Sequence, residues 1–237
     1  ELVPSSVYHA LQAVTGLRKG RSAARETEPV KPAPEEHINA VEPFVLRQVW
    51  AMIQLQLLTG MRPGEARLMR GCDLDVSGNI WTYSPVSHKT EHYGIERTVY
   101  LGPRAREVIK PFLEIDTSAF LFSPTDAMAE RRASQRRQRK TMVQPSQVSR
   151  RKAHPRRRPG DHYCREAYRG AVQRACVKAG VPPWTPAQLR HNAATRFRKE
   201  YGLKVAQIML GHQSAEVTQI YAERDRDRAM AVVARIG

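Results

Sequence analysis

The sequence predicts a mainly α-helical α+β fold with a small antiparallel β-sheet. Three observations predict it. Apolar residues recur at helical spacing through most of the chain, whereas only two short runs, Ile80 to Tyr83 and Ile95 to Leu101, alternate as strands do. Proline or glycine punctuates the starts and ends of the helical runs. At 237 residues the chain can bury one large core, as a single domain or as a domain with an arm.

Residues 5 to 17 form a small predicted helix with Val7, Leu11 and Val14 on one side and Gly16 near its end. Residues 18 to 36 are charged, proline-containing and without apolar period, so they read as a linker, and the compact domain is expected from near Ile38. The expected division is therefore a helix remnant and linker over 1–37 and a main domain over 38–237. Pro43 opens a strong helix carrying Leu46, Val49, Trp50, Ile53 and Leu57, closed by Gly60. Met61 and Arg62 occupy a turn, and Pro63 starts a second helix with Glu65 in its first turn. On its own Arg62 reads as a solvated turn residue.

The two alternating runs make an antiparallel pair, the second placing Ile95, Val99 and Leu101 on one side together with Arg97. Their connection, SPVSHKTEHYG, carries Lys89 on a loop, where a lone lysine usually faces solvent. A helix from Pro103 to about Glu114 follows, with Ala105, Val108, Ile109, Phe112 and Leu113 inward, then a short buried segment at Phe120 to Phe122. Composition then changes. Within a basic insertion over 131–160 stand Arg131, Arg132, Arg136, Arg137, Arg139, Lys140, Arg150, Arg151, Lys152, Arg156, Arg157 and Arg158, with no acid between them. Such a run tracks a phosphate backbone better than it serves as a mere solubilising face. Asp161 is the expected cap of the next helix, in which Tyr168, Val172, Ala175 and Cys176 form the inner side and which Gly180 ends.

The stretch from Thr185 to Tyr221 reads as three short helices that bring Arg190, His212 and Tyr221 towards one point. Thr185 and Gln188 have capping-box spacing, and Pro186 falls at the first helical position. Gly202 and Gly211 punctuate the run, and Ser214 can cap a last helix with Val217 and Ile220 beside Tyr221. The tail over 222–237 puts Met230, Val233 and Ile236 on one side of a possible helix, too little to form a core alone.

Thirty-nine Lys and Arg against 23 Asp and Glu give a formal net charge of +16, which speaks for a polyanionic partner. Nucleic acid fits best, because phosphate neutralisation releases counterions and no compact amphipathic membrane segment is present in the pattern. Charge alone would suit a ribosomal or nucleoid protein equally well. The longest apolar run, within Val49 to Leu58, is broken by two glutamines and too short to span a bilayer. Cys72, Cys164 and Cys176 form neither a CxxC pair nor a metal set and read as reduced core thiols of a cytoplasmic protein. The chain begins at Glu1 without a signal pattern and is expected to be an excised fragment.

Four motifs in order carry a resemblance: Thr59 to Ala66 (TGMRPGEA), His88-Lys89-Thr90 between strands, Leu189-Arg190-His191, and Gly211-His212 with Tyr221 nine residues beyond His212. Together they resemble the tyrosine recombinases, also called phage integrases, over about residues 38 to 237. The resemblance implies the recombinase catalytic domain, with a further DNA-binding domain before it. Arg62 and Arg190 would clamp a scissile phosphate with their planar forks, His212 would be a third donor, and Glu65 would fix these side chains from behind. Tyr221 would attack to give a 3′-phosphotyrosyl link, and Lys89 would protonate the released 5′-hydroxyl. No metal, cofactor or ATP is implied. The implied partners are double-stranded DNA and further protomers of the same chain in a tetrameric synapse, on the nucleoid of a prokaryotic or phage-infected cell. One position departs from the pattern: three residues before the second arginine, where the family usually has histidine, stands Ala187. His191 is one turn further on, about 6 Å along the axis, a poor direct replacement. The alternatives that this departure keeps open are a non-catalytic or impaired DNA-binding module with the recombinase fold and, by related chemistry, a type IB topoisomerase-like activity.

Overall fold

The computed structural model describes residues 3–14, 16, 21, 23, 25, 30–87, 97–145, 148 and 160–211. The chain divides into two compact units, Glu1–Val30 and Lys31–Gly237. In the first, helix α1 (Ser5–Gln12) is shorter than its apolar spacing suggested, and Val7, Leu11 and Val14 are all exposed. A helix this short gains little from propensity alone, and no packed face extends it.

The second unit begins upstream of the expected boundary near Ile38. Ala33 is buried, and its N–H and C=O pair with the Asn192 side chain at 2.9 and 2.6 Å, so residues read as linker belong to the packed body. Helix α2 (Glu35–Ala40) follows directly. Pro43 lies in a short 3-10 turn, Glu42–Phe44, and the long helix α3 (Arg47–Thr59) starts only after it. Its burial is not a single stripe: Val49, Ala51, Met52, Ile53 and Leu55 are all buried, together with Gln48, Gln56 and Thr59. Helix α3 is the central element, with the helices Pro186–Tyr201 and Pro103–Ile109 packed on it. A helix covered on several sides reads as broadly apolar, and its hydrophobic period blurs.

After α3 come α4 (Pro63–Arg67) and a three-stranded antiparallel sheet, β1 (Leu74–Asp75), β2 (Trp81–Tyr83) and β3 (Val99–Leu101), in the order β1-β2-β3. Strand β1 is too short for its alternation to register in the sequence. Trp81 faces Leu101 and Tyr83 faces Val99, and all four are buried, whereas Tyr100 is exposed. The alternation expected of the second strand holds over the described residues, Arg97 included on the buried side. Ile80 is half exposed and precedes the strand.

Helix α5 (Pro103–Ile109) tightens into a 3-10 turn at Lys110–Phe112, leaving Leu113 exposed instead of inward. Helix α6 (Pro124–Gln138), capped by Ser123 Oγ accepting from the Asp126 N–H, is almost wholly solvent-facing, with Ala127 its buried residue. Helix α7 (Arg165–Ala179) buries Tyr168, Val172, Ala175 and Cys176 and ends at Gly180 with φ 69°. Its cap is Cys164, whose Sγ accepts from the Ala167 N–H, and not Asp161, which instead pairs with His162 Nδ1 at 2.7 Å. Cys72 and Cys164 are exposed, so of the three cysteines only Cys176 is a core thiol. Helices α8 (Pro186–Tyr201) and α9 (Leu203–Leu210) pack on each other through Ala193, Phe197, Ala206 and Met209.

Candidate active site

The turn after α3 is held by a buried glutamine. Gln56 Nε2 donates to the carbonyls of Met61 (3.3 Å) and Pro186 (3.2 Å), while its Oε1 accepts from Tyr168 Oη at 2.8 Å. One side chain thus fixes the arginine turn to the start of α8 and to α7. Burial pushes the Tyr168 phenol well above its usual range, so it remains a donor. At Gly60, φ is 69° and an added Cβ would stand 2.6 Å from Leu210 Cδ2, so glycine is required both by conformation and by close approach.

Arg62 precedes the first turn of α4, and Glu65 reaches back to it. Glu65 Oε2 accepts from the Arg62 N–H at 2.8 Å and Oε1 accepts from Arg62 Nη1 at 2.7 Å. The first contact is half of a capping box; the arginine side chain, having no acceptor, uses its fork for the second. Glu65 is 3% exposed. Burial alone would raise its pKa, but Arg97 foremost, then the Arg62 N–H, the Arg62 charge and the Arg190 charge, hold it below the ordinary glutamate value. Arg97 Nε stands 3.5 Å from Glu65 Oε1. Tyr83 Oη donates to the Glu65 backbone carbonyl at 2.9 Å, tying the sheet to the same turn, and burial pushes that phenol up as well.

Arg190, 4% exposed, sits one turn inside α8. The capping geometry sets that position: Pro186 is the first helical residue, and Gln188 Oε1 accepts from the Thr185 N–H at 2.8 Å. Arg190 Nη1 donates to the Gly60 carbonyl at 2.7 Å and Nη2 to the Leu210 carbonyl at 2.8 Å. The guanidinium thereby joins the arginine turn to the end of α9. Arg62, Arg97 and Arg190 surround one carboxylate, three positive charges against one negative, so the cluster keeps two positive charges. Such a centre is built to receive an anion with planar, geometrically fixed donors.

Ala187 is exposed in the first turn of α8 and presents only a methyl group. His191 is half-buried, and burial followed by the Arg190 charge lowers its pKa, which favours the neutral imidazole. Lys89, His212 and Tyr221 lie outside the described residues, as do Arg150, Arg151, Lys152, Arg156, Arg157 and Arg158. Arg131, Arg132, Arg136, Arg137, Arg139 and Lys140 are exposed on or just after α6. They stand well apart in character from the knot around Glu65. Among the described residues no group of three or more His, Cys, Asp or Glu is placed to hold a metal ion, and no helix is long and apolar enough to cross a membrane.

Two residues that build this centre were not among the candidate site residues read from the sequence. Gln56 and Arg97 each carried a signal, a polar side chain at a position whose period points inward, but nothing local said what they would meet.

Comparison with known proteins agrees with this architecture. The profile of the phage integrase family matches residues 39–228, and the chain belongs to that family. Tyrosine recombinase XerC of Bifidobacterium longum (strain DJO10A) is 28% identical over 172 residues, covering 72% of this chain and 42% of the relative. The chain thus spans less than half the length of that curated relative. Among solved structures, the Tn1549 transposon integrase in complex with a circular intermediate DNA superposes with a TM-score of 0.65 at 17% identity, covering 98% of this chain and 76% of that one. The XerH site-specific recombinase bound to palindromic difH substrate, a post-cleavage complex, gives 0.58 at 16% identity, covering 94% and 57%. The mainly helical fold with its small antiparallel sheet is therefore the fold of the tyrosine recombinases.

Proposed function

We propose that this chain is the catalytic part of a site-specific DNA recombinase that cleaves and rejoins strands through a 3′-phosphotyrosyl intermediate. The observation that carries this reading is the clustering of Arg62 and Arg190 about Glu65, with Arg190 bonded to both Gly60 and Leu210. Two fixed forks suit the non-bridging oxygens of a phosphodiester, whose charge grows during attack. Tyr221 is the nucleophile in this reading, His212 a further phosphate donor, and Lys89 the acid for the leaving 5′-oxygen. A nicked duplex that loses the strand beyond the cleavage point traps the covalent complex. Wild-type protein is expected to become linked to DNA and Tyr221→Phe to give no adduct while keeping its DNA affinity. Adduct persisting in that variant would remove Tyr221 from the role.

The exposed methyl of Ala187 favours one second reading, a DNA-binding module with impaired or no cleavage, since a methyl neither donates to phosphate nor moves a proton. Absence of any adduct at high wild-type concentration selects it. For either reading the partner is double-stranded DNA, with α6 and the basic residues after it against the backbone. Further copies of the chain assemble on that DNA into a tetrameric synapse through the tail over 222–237. Sedimentation of full-length protein and protein truncated after Glu223, on one duplex, checks this: equal stoichiometry for both rejects the tail as the joint.

A further inference from the structure

Arg97 belongs to none of the four recombinase-like motifs, yet it touches the site's framework at several points. It is 6% exposed, at the approach to β3. Its Nε faces Glu65 Oε1 at 3.5 Å, and its Nη1 donates to the Thr98 carbonyl at 3.0 Å and to the Met209 carbonyl at 3.4 Å. Its Nε and Nη2 are buried without a hydrogen-bond partner among the described residues, so it is charge attraction to Glu65 and to the carbonyl end of α9 that offsets its burial. Gly211, with φ 64°, lies against it so closely that an added Cβ would stand 2.5 Å from Arg97 Nη1. Arg97 and Arg190 thus hold consecutive carbonyls, Met209 and Leu210, immediately before the glycine that precedes His212 in the sequence.

We propose that Arg97 is a positioning residue: it joins the Arg62–Glu65 pair to the last turn of α9 and so sets the backbone at Gly211, the entry to His212. The proposal rests on the recombinase reading above. Arg97 itself holds no phosphate. It keeps Glu65 ionised, so that both carboxylate oxygens hold Arg62, and it fixes the α9 terminus relative to that fork. Among the described residues, the charged and titratable groups facing Glu65 are Arg62 ahead of α4, Arg97 ahead of β3, Arg190 on α8 and Tyr83 on β2 through its hydroxyl. With Arg97 gone, a buried carboxylate loses one of its cations, protonates at higher pH and releases the Arg62 side chain.

The test is single-turnover cleavage of the nicked duplex across pH 5 to 9, with DNA affinity and thermal melting measured alongside, for wild type, Arg97→Gln and Arg97→Lys. Arg97→Gln is expected to bind DNA as wild type does and to cleave roughly 10²-fold more slowly, as for a small misplacement of reacting groups. Its rate relative to wild type should fall further on the acid side, and Arg97→Lys should restore the wild-type profile by restoring the charge. Losses equal at every pH and equal in both variants would mark Arg97 as mere packing, and an unchanged rate in Arg97→Gln would overturn the proposal outright. If Arg97→Gln does not fold, Arg97→Lys decides, wild-type rates at every pH upholding the charge role and rates lowered by the same factor at every pH rejecting it. If wild type forms no adduct, the recombinase reading itself fails, and carboxyl titration by 13C NMR still judges Arg97. A higher Glu65 pKa in the variant than in wild type upholds the tie, and the same value rejects it.

Discussion

Arginine serves two regions of this molecule in opposite physical states. Around Glu65, Arg97 and Arg190 are buried and Arg62 is half-buried, and all three are directed by a carboxylate or by backbone carbonyls. Along α6, Arg131, Arg132, Arg136 and Arg137 are exposed, and none is in an ion pair among the described residues. A buried guanidinium is costly unless a countercharge or carbonyl dipoles face it, so each one in the knot has a defined direction. An exposed one is hydrated and mobile, contributes little to stability, and acts as part of a charge density. The same side chain is therefore a fixed tool in one place and a polyelectrolyte in the other.

Three measurements sharpen or break that contrast. The largest effect is expected from Glu65→Gln, which leaves guanidiniums facing a neutral amide: about 3–5 kcal/mol of stability at pH 7, by analogy with the breaking of buried ion pairs. Because the folded pKa of Glu65 lies below its ordinary value, its contribution is whole above the unfolded pKa of about 4.3 and fades as pH falls from there towards the folded value. The gap between wild type and Glu65→Gln in denaturant melts should accordingly narrow below about pH 4. A gap that is constant with pH would mean that the charge of Glu65 is not what holds the knot.

Next comes Gly60→Ala. Its φ of 69° and the 2.6 Å approach of Leu210 Cδ2 predict a loss of about 1–3 kcal/mol, with slower cleavage because the Gly60 carbonyl is an Arg190 acceptor. A melt within error of wild type would show that α9 yields easily and that the knot is looser than its distances suggest. The smallest stability effect belongs to α6. Changing Arg131, Arg132, Arg136 and Arg137 together to Gln should leave the melt within about 0.5 kcal/mol. DNA binding should nevertheless weaken for all duplexes alike, with a salt slope flatter by about 0.9 for each phosphate that is no longer neutralised. An effect confined to one DNA sequence would place these arginines on base edges.

Much of the fold was legible because local rules settle it. Pro63 with Glu65, Thr185 with Gln188, and the left-handed glycines 60, 180 and 211 announce helix ends through chemistry that acts within four residues. The strand period likewise put Arg97 on the inner side with Val99 and Leu101, where the structure has it. Where local rules were overridden, packing was the reason. Pro43 fits a first helical turn but lies in a 3-10 turn ahead of α3, and Asp161 fits a cap but is paired with His162 while Cys164 takes its place. Ala33 looked like linker because its burial depends on Asn192, far along the chain.

By itself, then, the sequence determined most of the long helices and two of the three strands, the membership of the family, and the identity of Arg62, Glu65 and Arg190 as candidate site residues, all of which depend on neighbours within a few positions or on motif order. Only the tertiary structure decided that Gln56 would bind the arginine turn to α8, that Glu65 would stay ionised under three guanidiniums, and that Arg97 would lie against Gly211. Those facts are distances between residues far apart in the chain, and charge and desolvation act through distance in space, to which sequence separation gives no access.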